Sequence, residues 1–434
     1  MRRLVWAVVL LLGVASAALG CLLWMGWRDV PEPASEAFRA DVSAVVAAQV
    51  SRGAYLARLG NCAACHTARG GQPYAGGRPI ETPFGRVYSS NLTPDPVTGL
   101  GAWSAEDFRR AMRHGRSRDG RLLNPAFPYL EFSRVSSGDL DALWAFLKTI
   151  PSVVGENRAN ELSWPYRTQW ALAVWRGLYF RPEVWRDQPD RSVGWNRGGY
   201  LVRGLGHCGA CHTPRDALGG YRVGLDLQGH HMAPQGWYAP SLRDLAEAGV
   251  ESAHVDDWVA VLKVGRQASA VVNGPMAEVV AQSTQYFSLD DLRAMAFYLA
   301  VPSKASGPSG VRHVESSTPG SGERVRAGGQ IYERHCSSCH GERGEGVAGA
   351  YPALAGNRAV LMGDTGNLVR VVLGGGYGPS TESHPRPHGM PPFRLVLRDD
   401  EVAAVLSYVR QAWGNSAAPL EPLDVIREGR TLAP

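Results

Sequence analysis

The chain begins with an apolar run, Leu4 to Trp27, that carries no charge until Arg28. A helix of that length crosses a bilayer. Arg2 and Arg3 predict that its amino end stays cytoplasmic, which places the rest of the chain in the periplasm. Two other readings of the run stay open. Ala15-Ser16-Ala17 has the form of a signal cleavage site. Cys21 stands where a lipobox would end, although Ala18 occupies the place of a larger aliphatic residue. Apolar sequence continues past both points through Leu22, Leu23 and Trp24, which favours an uncleaved anchor within residues 1–29.

Beyond the anchor, apolar residues at helical spacing recur at domain-sized intervals. Asp139–Leu147, Asp291–Leu299 and Glu401–Val409 each predict a closing helix, with Ser288 and Asp291 forming an amino-terminal cap for the second. Arg52–Arg58, Arg197–Arg203 and Ala327–Tyr332 each predict a leading helix whose tyrosine and aliphatic residues face a common pocket. A fixed order repeated in this way means duplication of one unit. The chain therefore reads as mainly α, with three tandem domains over residues 45–151, 195–302 and 322–414 after an N-terminal membrane helix.

The connections differ in texture. Val30 to Ala40 is rich in Pro and Ala and reads as a tether, and residues 303–321 form a flexible linker rich in Ser, Gly and Pro. Residues 152–194 are aromatic, with Trp164, Tyr166, Trp170, Trp175, Tyr179, Phe180 and Trp185. Within them an amphipathic helix is expected from Trp170 to Phe180, bracketed by Pro165 and Pro182. It either packs between the first two domains or offers a docking face to a membrane or partner. The tail, 415–434, has no strong pattern.

Composition adds little until the cysteines are counted. The charged fraction of 20% and hydrophobic fraction of 44% are ordinary for a globular protein, and a net charge of +5 gives no reason to invoke nucleic acid. Of seven cysteines, six fall in three copies of one word: Cys62-Ala63-Ala64-Cys65-His66, Cys208-Gly209-Ala210-Cys211-His212 and Cys336-Ser337-Ser338-Cys339-His340. Cys-x-x-Cys-His is the attachment site of a c-type haem. Two cysteines three apart share one face of a helical turn, where both thiols reach the vinyl carbons of one porphyrin. The following histidine is then the proximal iron ligand. A zinc site would pair the motifs and leave one over, and a redox dithiol does not call for the histidine. Three covalently bound haems c are expected.

A methionine shortly before the closing helix would supply the sixth iron ligand. Met276, in Asn273-Gly274-Pro275-Met276, and Met390, in His388-Gly389-Met390-Pro391, stand there; Met232, Met295 and Met362 fall outside that loop and read as packing residues. The first domain has Asn124-Pro125-Ala126-Phe127-Pro128-Tyr129 instead. Phenylalanine cannot bind iron, and Met112 and His114 are the replacements nearby. Gly341 to Gly346 follows a haem histidine rather than a strand, so it is no dinucleotide loop.

A leading and a closing helix crossing beside a haem resemble the frame of small class I cytochromes c, three times over. By that resemblance the carbonyls of Pro240 and Pro352, placed alike after their motifs, accept the hydrogen bond of the proximal histidine. The whole chain resembles the trihaem cytochrome c subunit of bacterial membrane-bound dehydrogenases. The likeness is carried by the three haem motifs, Tyr74-Ala75-Gly76-Gly77, Ser90-Asn91-Leu92-Thr93-Pro94-Asp95 and Gly274-Pro275-Met276-Ala277-Glu278-Val279-Val280. It implies an electron-transfer subunit with no catalytic residues of its own. Such a subunit takes electrons from a catalytic subunit and passes them to ubiquinone or another respiratory acceptor at the periplasmic side of the inner membrane. The catalytic partner would be a quinoprotein alcohol dehydrogenase, a flavoprotein sugar or polyol dehydrogenase, or a molybdenum aldehyde dehydrogenase. Pro125 to Tyr129 departs from the Pro-Ala-Met-Pro-Tyr form of the alcohol dehydrogenase subunits and is closer to cytochromes that accompany molybdenum hydroxylases. Two rival functions remain: a peroxidase using an open first haem, and a stand-alone electron shuttle or a subunit of a terminal oxidase.

Overall fold

The computed structural model describes residues 2–28, 42–267, 270–300, 321–430 and 432. The tether from Val30 to Ala40 and most of the linker over 303–321 lie outside the described residues. The described chain is mainly helical, with one three-stranded and three two-stranded antiparallel sheets. It divides into two compact units, Met1–Pro189 with Tyr200–Ala210 and Arg215–Gly224, and Asp190–Gly199 with Cys211–Pro214 and Leu225–Pro434.

In the first unit the apolar run forms one helix, Arg2–Trp27, whose most apolar 18-residue stretch has a mean hydropathy of 2.4. It contains no proline, and its large side chains from Leu4 to Val14 are exposed. The aromatic stretch forms a helix over Gln169–Tyr179, started by Thr168, whose hydroxyl accepts the Ala171 N–H. This linker helix packs on the end of the anchor helix at backbone distance. A Cβ on Gly26 would fall 1.9 Å from the Ala173 carbonyl oxygen, and one on Gly177 would fall 2.4 Å from that of Leu22. The buried Arg176 ties the junction, donating to Gly26 O at 3.1 Å and to His114 O. The aromatic pattern predicts the linker helix but not this partner.

The leading and closing helices recur three times, as Val42–Leu59 with Ser137–Leu147, Val193–Arg203 with Leu289–Leu299, and Ser321–His335 with Asp399–Gln411. Each crossing depends on one glycine. A Cβ on Gly53 would lie 1.9 Å from Ala142 O, on Gly198 1.9 Å from Ala294 O, and on Gly328 2.0 Å from Ala404 O. The next turn presents an aromatic at the same contact: Phe146, Tyr298 and Tyr408. The first two closing helices start on serine caps, with Ser136 accepting the Asp139 N–H and Ser288 accepting the Asp291 N–H. Both aspartates also accept from a leading-helix arginine, Arg52 at 2.7 Å and Arg197 at 2.8 and 2.9 Å. Sequence periodicity thus predicts the helices, and the two ion pairs fix their register.

Because the Gly328 contact is with backbone, no rotamer change relieves it. Gly328→Ala is expected to cost about 1–3 kcal/mol or more, as overpacked sites do. Urea-dependent proteolysis of the full chain checks this, read on peptides from residues 322–414. An unchanged midpoint for those peptides would show that the crossing is loose.

A third helix lies between each pair: Ala105–His114, Val255–Val264 and Gly366–Gly374. Each ends on a glycine of positive φ, Gly115 at 56°, Gly265 at 79° and Gly375 at 66°. There the chain turns back into a small hairpin: the bridge Arg116 with Leu122, the pair Arg266–Gln267 with Ala270–Val271, and the pair Gly376–Tyr377 with Gly389–Met390. Leu123 donates to Gly115 O at 2.8 Å and Val272 donates to Gly265 O at 2.9 Å, so the first two hairpins share one register. These hairpins deliver the loops in which a sixth ligand is sought.

Candidate haem-binding site

Each Cys-x-x-Cys-His word is folded as a short helical turn, over Cys62–Cys65, Gly209–His212 and Ser337–His340. The residue before the first two words, Asn61 and His207, takes a positive φ of 51° and 37° to break the leading helix. In the first and third words the histidine N–H returns to the first cysteine, His66 to Cys62 O and His340 to Cys336 O, each at 2.9 Å. A helical turn brings side chains three apart onto one face, as two thioether bonds to one porphyrin require.

The imidazoles are held alike. His66 Nδ1 lies 2.7 Å from Ser90 O, His212 Nδ1 2.7 Å from Pro240 O, and His340 Nδ1 3.0 Å from Pro352 O. A carbonyl only accepts, so Nδ1 carries the proton and Nε2 keeps its lone pair. Burial pulls all three imidazoles below the usual histidine range, against the opposing effect of the carbonyl bond. They are therefore neutral, with one nitrogen prepared for a metal. This donor set, two thiols on one turn followed by a neutral imidazole fixed at Nδ1, fits a c-type haem.

Sequence reasoning misses Ser90 in this role, because a main-chain acceptor leaves no side-chain signature. Its position is nonetheless visible: Ser90-Asn91-Leu92, Pro240-Ser241-Leu242 and Pro352-Ala353-Leu354 share a leucine two residues after the acceptor.

Met390 lies in the strand paired with Gly376 and packs, with Cys336 and Leu354, against a core that includes Tyr332, Val369, Val402 and Leu406. Met276 sits in the first turn of the helix Gly274–Gln282, with the Trp237 ring beneath Gly274. Phe127 falls five residues after the bridged Leu122, as Met276 falls five after the bridged Val271. The matching hairpins thus place Phe127 in register with Met276. Its ring is half-buried, 5.4 Å from Phe132 and 6.5 Å from Tyr129. Met112 and His114 are buried on the helix that precedes the Gly115 turn. Met295 and Met362 are buried core residues, and Met232 lies in a short strand.

Covalent haem on a crossed-helix frame is what makes a protein a cytochrome c, and this chain is one. The Cytochrome c family model matches residues 50–151 and 325–413. The chain is 42% identical over 402 residues to the cytochrome c subunit of alcohol dehydrogenase (quinone) from Gluconobacter oxydans, covering 88% of this chain and 82% of that protein. It is 38% identical over 383 residues to the gluconate 2-dehydrogenase cytochrome c subunit of Pantoea cypripedii, covering 85% and 87%. The fructose dehydrogenase cytochrome subunit of Gluconobacter japonicus is 34% identical over 413 residues, covering 88% of this chain and 82% of that protein. The chain belongs to the cytochrome c subunits of bacterial membrane-bound dehydrogenases.

Proposed function

We propose that the chain is a three-haem electron carrier serving a periplasmic dehydrogenase. Cys62 with Cys65, Cys208 with Cys211, and Cys336 with Cys339 hold the three haems. His66, His212 and His340 are the proximal ligands, and Met276 and Met390 the sixth ligands of the second and third. The domains run over 45–151, 195–302 and 322–414. The haem iron, when bound, supplies one-electron redox chemistry; the chain sets each potential through ligand, burial and hydrogen bonding. The observation that most supports three sites is the threefold Nδ1-to-carbonyl bond.

Electrons enter from a catalytic dehydrogenase subunit and leave to ubiquinone or another respiratory acceptor. The helix Arg2–Trp27 anchors the chain in the inner membrane with its haem domains in the periplasm. The relatives' names support a dehydrogenase partner, which is a quinoprotein, flavoprotein or molybdenum enzyme.

Affinity purification of the full chain from mildly solubilised membranes tests this. A dehydrogenase subunit is expected to co-purify, its substrate should reduce the haems, and a soluble ubiquinone analogue should reoxidise them. Co-purification with a copper-haem oxidase core, or peroxide reduction by the chain alone, would overturn the reading. Removing residues 2–27 behind a cleavable signal is expected to make the chain extractable by alkaline carbonate.

A further inference from the structure

The linker helix Gln169–Tyr179 has three faces, two of them occupied. Ala173, Arg176 and Gly177 meet the anchor helix. Trp175 Nε1 donates to Leu218 O at 2.9 Å and the Tyr179 hydroxyl donates to Asp216 at 2.8 Å, which fixes a second face to the protein. The third carries Trp170, Val174 and Leu178, four apart in sequence and therefore stacked along one side. Trp170 is 49% and Leu178 41% exposed, and Trp164, 69% exposed, stands just before the helix.

The junction with the anchor helix sets the depth of this stripe. About 20 helical residues cross a hydrocarbon core of ~30 Å. Counted from Leu4, such a span ends near Leu23, and the linker helix crosses at Leu22 and Gly26. Trp24 and Trp27 at that end are exposed too. Residues 164–182 contain Arg167, Arg176 and Arg181 but no acidic residue, and the Arg28 guanidinium lies 5.6 Å over the Trp24 ring. Tryptophan at the boundary with arginine beside it matches the polarity of a lipid headgroup layer.

We propose that Trp164, Trp170, Val174 and Leu178, together with Trp24 and Trp27 on the anchor helix, form a lipid-facing surface at the periplasmic boundary of the bilayer. Arg28, Arg167 and Arg181 stand at the level of the lipid phosphates. The linker helix is thus a second, interfacial attachment that holds the first domain at the membrane surface. The inference rests on the reading of Arg2–Trp27 as a membrane span.

The test uses the full haem-loaded chain, produced without its dehydrogenase, in vesicles of phosphatidylethanolamine and phosphatidylglycerol. In a Cys21→Ser background, Trp170→Cys and Leu178→Cys are compared with Leu289→Cys, whose site is 48% exposed. An impermeant maleimide-polymer is added, and rates are normalised to Leu289→Cys, which also reports the outward-facing fraction. Labelling at 170 and 178 should be about ten-fold slower than at 289. Equal rates in chains that co-float with vesicles would overturn this inference alone. Failure to co-float would overturn the anchor reading with it. Slow labelling only after the dehydrogenase is added would assign the stripe to a protein partner and overturn the lipid assignment.

Discussion

Met276→Ala and Met390→Ala are each expected to lower the potential of one haem and open that iron to carbon monoxide. A thioether favours ferrous iron, so its loss moves the couple downward. Axial ligation spans ~0.8 V across haem proteins, and a fall on the order of 100 mV or more is expected. The fold should survive either change. Met390 is held in its hairpin by backbone pairing with Gly376, which alanine retains. Met276 lies in a helical turn where alanine is favourable. Met362→Ala is the control: this core methionine, 6% exposed, should cost about 2–5 kcal/mol of stability if the site does not relax, with no change in any potential. Redox titration and carbon monoxide difference spectra read the outcome. Unchanged potentials in both ligand variants would remove Met276 and Met390 from the iron.

Much of this arrangement is legible in the sequence itself. The haem words fix covalent chemistry by local spacing, and the cap at Ser288 follows from polar residues three apart at the start of an apolar period. Pro240 and Pro352 follow from resemblance, and their carbonyls do face His212 and His340. Three features are not legible there. The Ser90 carbonyl acts through the backbone. Gly53, Gly198 and Gly328 look ordinary in sequence, because only the approach of a distant helix makes a missing Cβ necessary. The contact of Gly26 and Ala173 joins residues far apart in the chain, and nothing in either segment's periodicity selects the other. Local pattern thus specifies elements and chemistry, whereas close helix contacts depend on tertiary packing.

Phe127→Met is expected to add a third methionine-ligated haem to the two proposed at Met276 and Met390. Phe127 occupies the hairpin register that delivers Met276 in the next repeat, but its side chain has no lone pair. The wild-type first iron is therefore expected to be five-coordinate or weakly ligated, ahead of ligation by His114 and then by Met112. Both alternatives lie on the helix before the Gly115 turn, upstream of the ligand loop. An open or histidine-ligated iron has a lower potential than a thioether-ligated one, which suits early acceptance of electrons from a dehydrogenase. The substitution should be structurally mild. It loses the edge contact with Phe132, worth about 0.5–1.5 kcal/mol, and leaves the backbone of the loop unchanged. The oxidised wild-type protein should show methionine-to-iron charge-transfer absorption equivalent to two haems, and Phe127→Met should show three, with one potential raised. Three equivalents in the unmodified protein would mean that Met112 or a displaced loop already supplies a sulfur. The first haem would then be as oxidising as its neighbours, and Phe127 would be a packing residue with no bearing on the order of electron transfer.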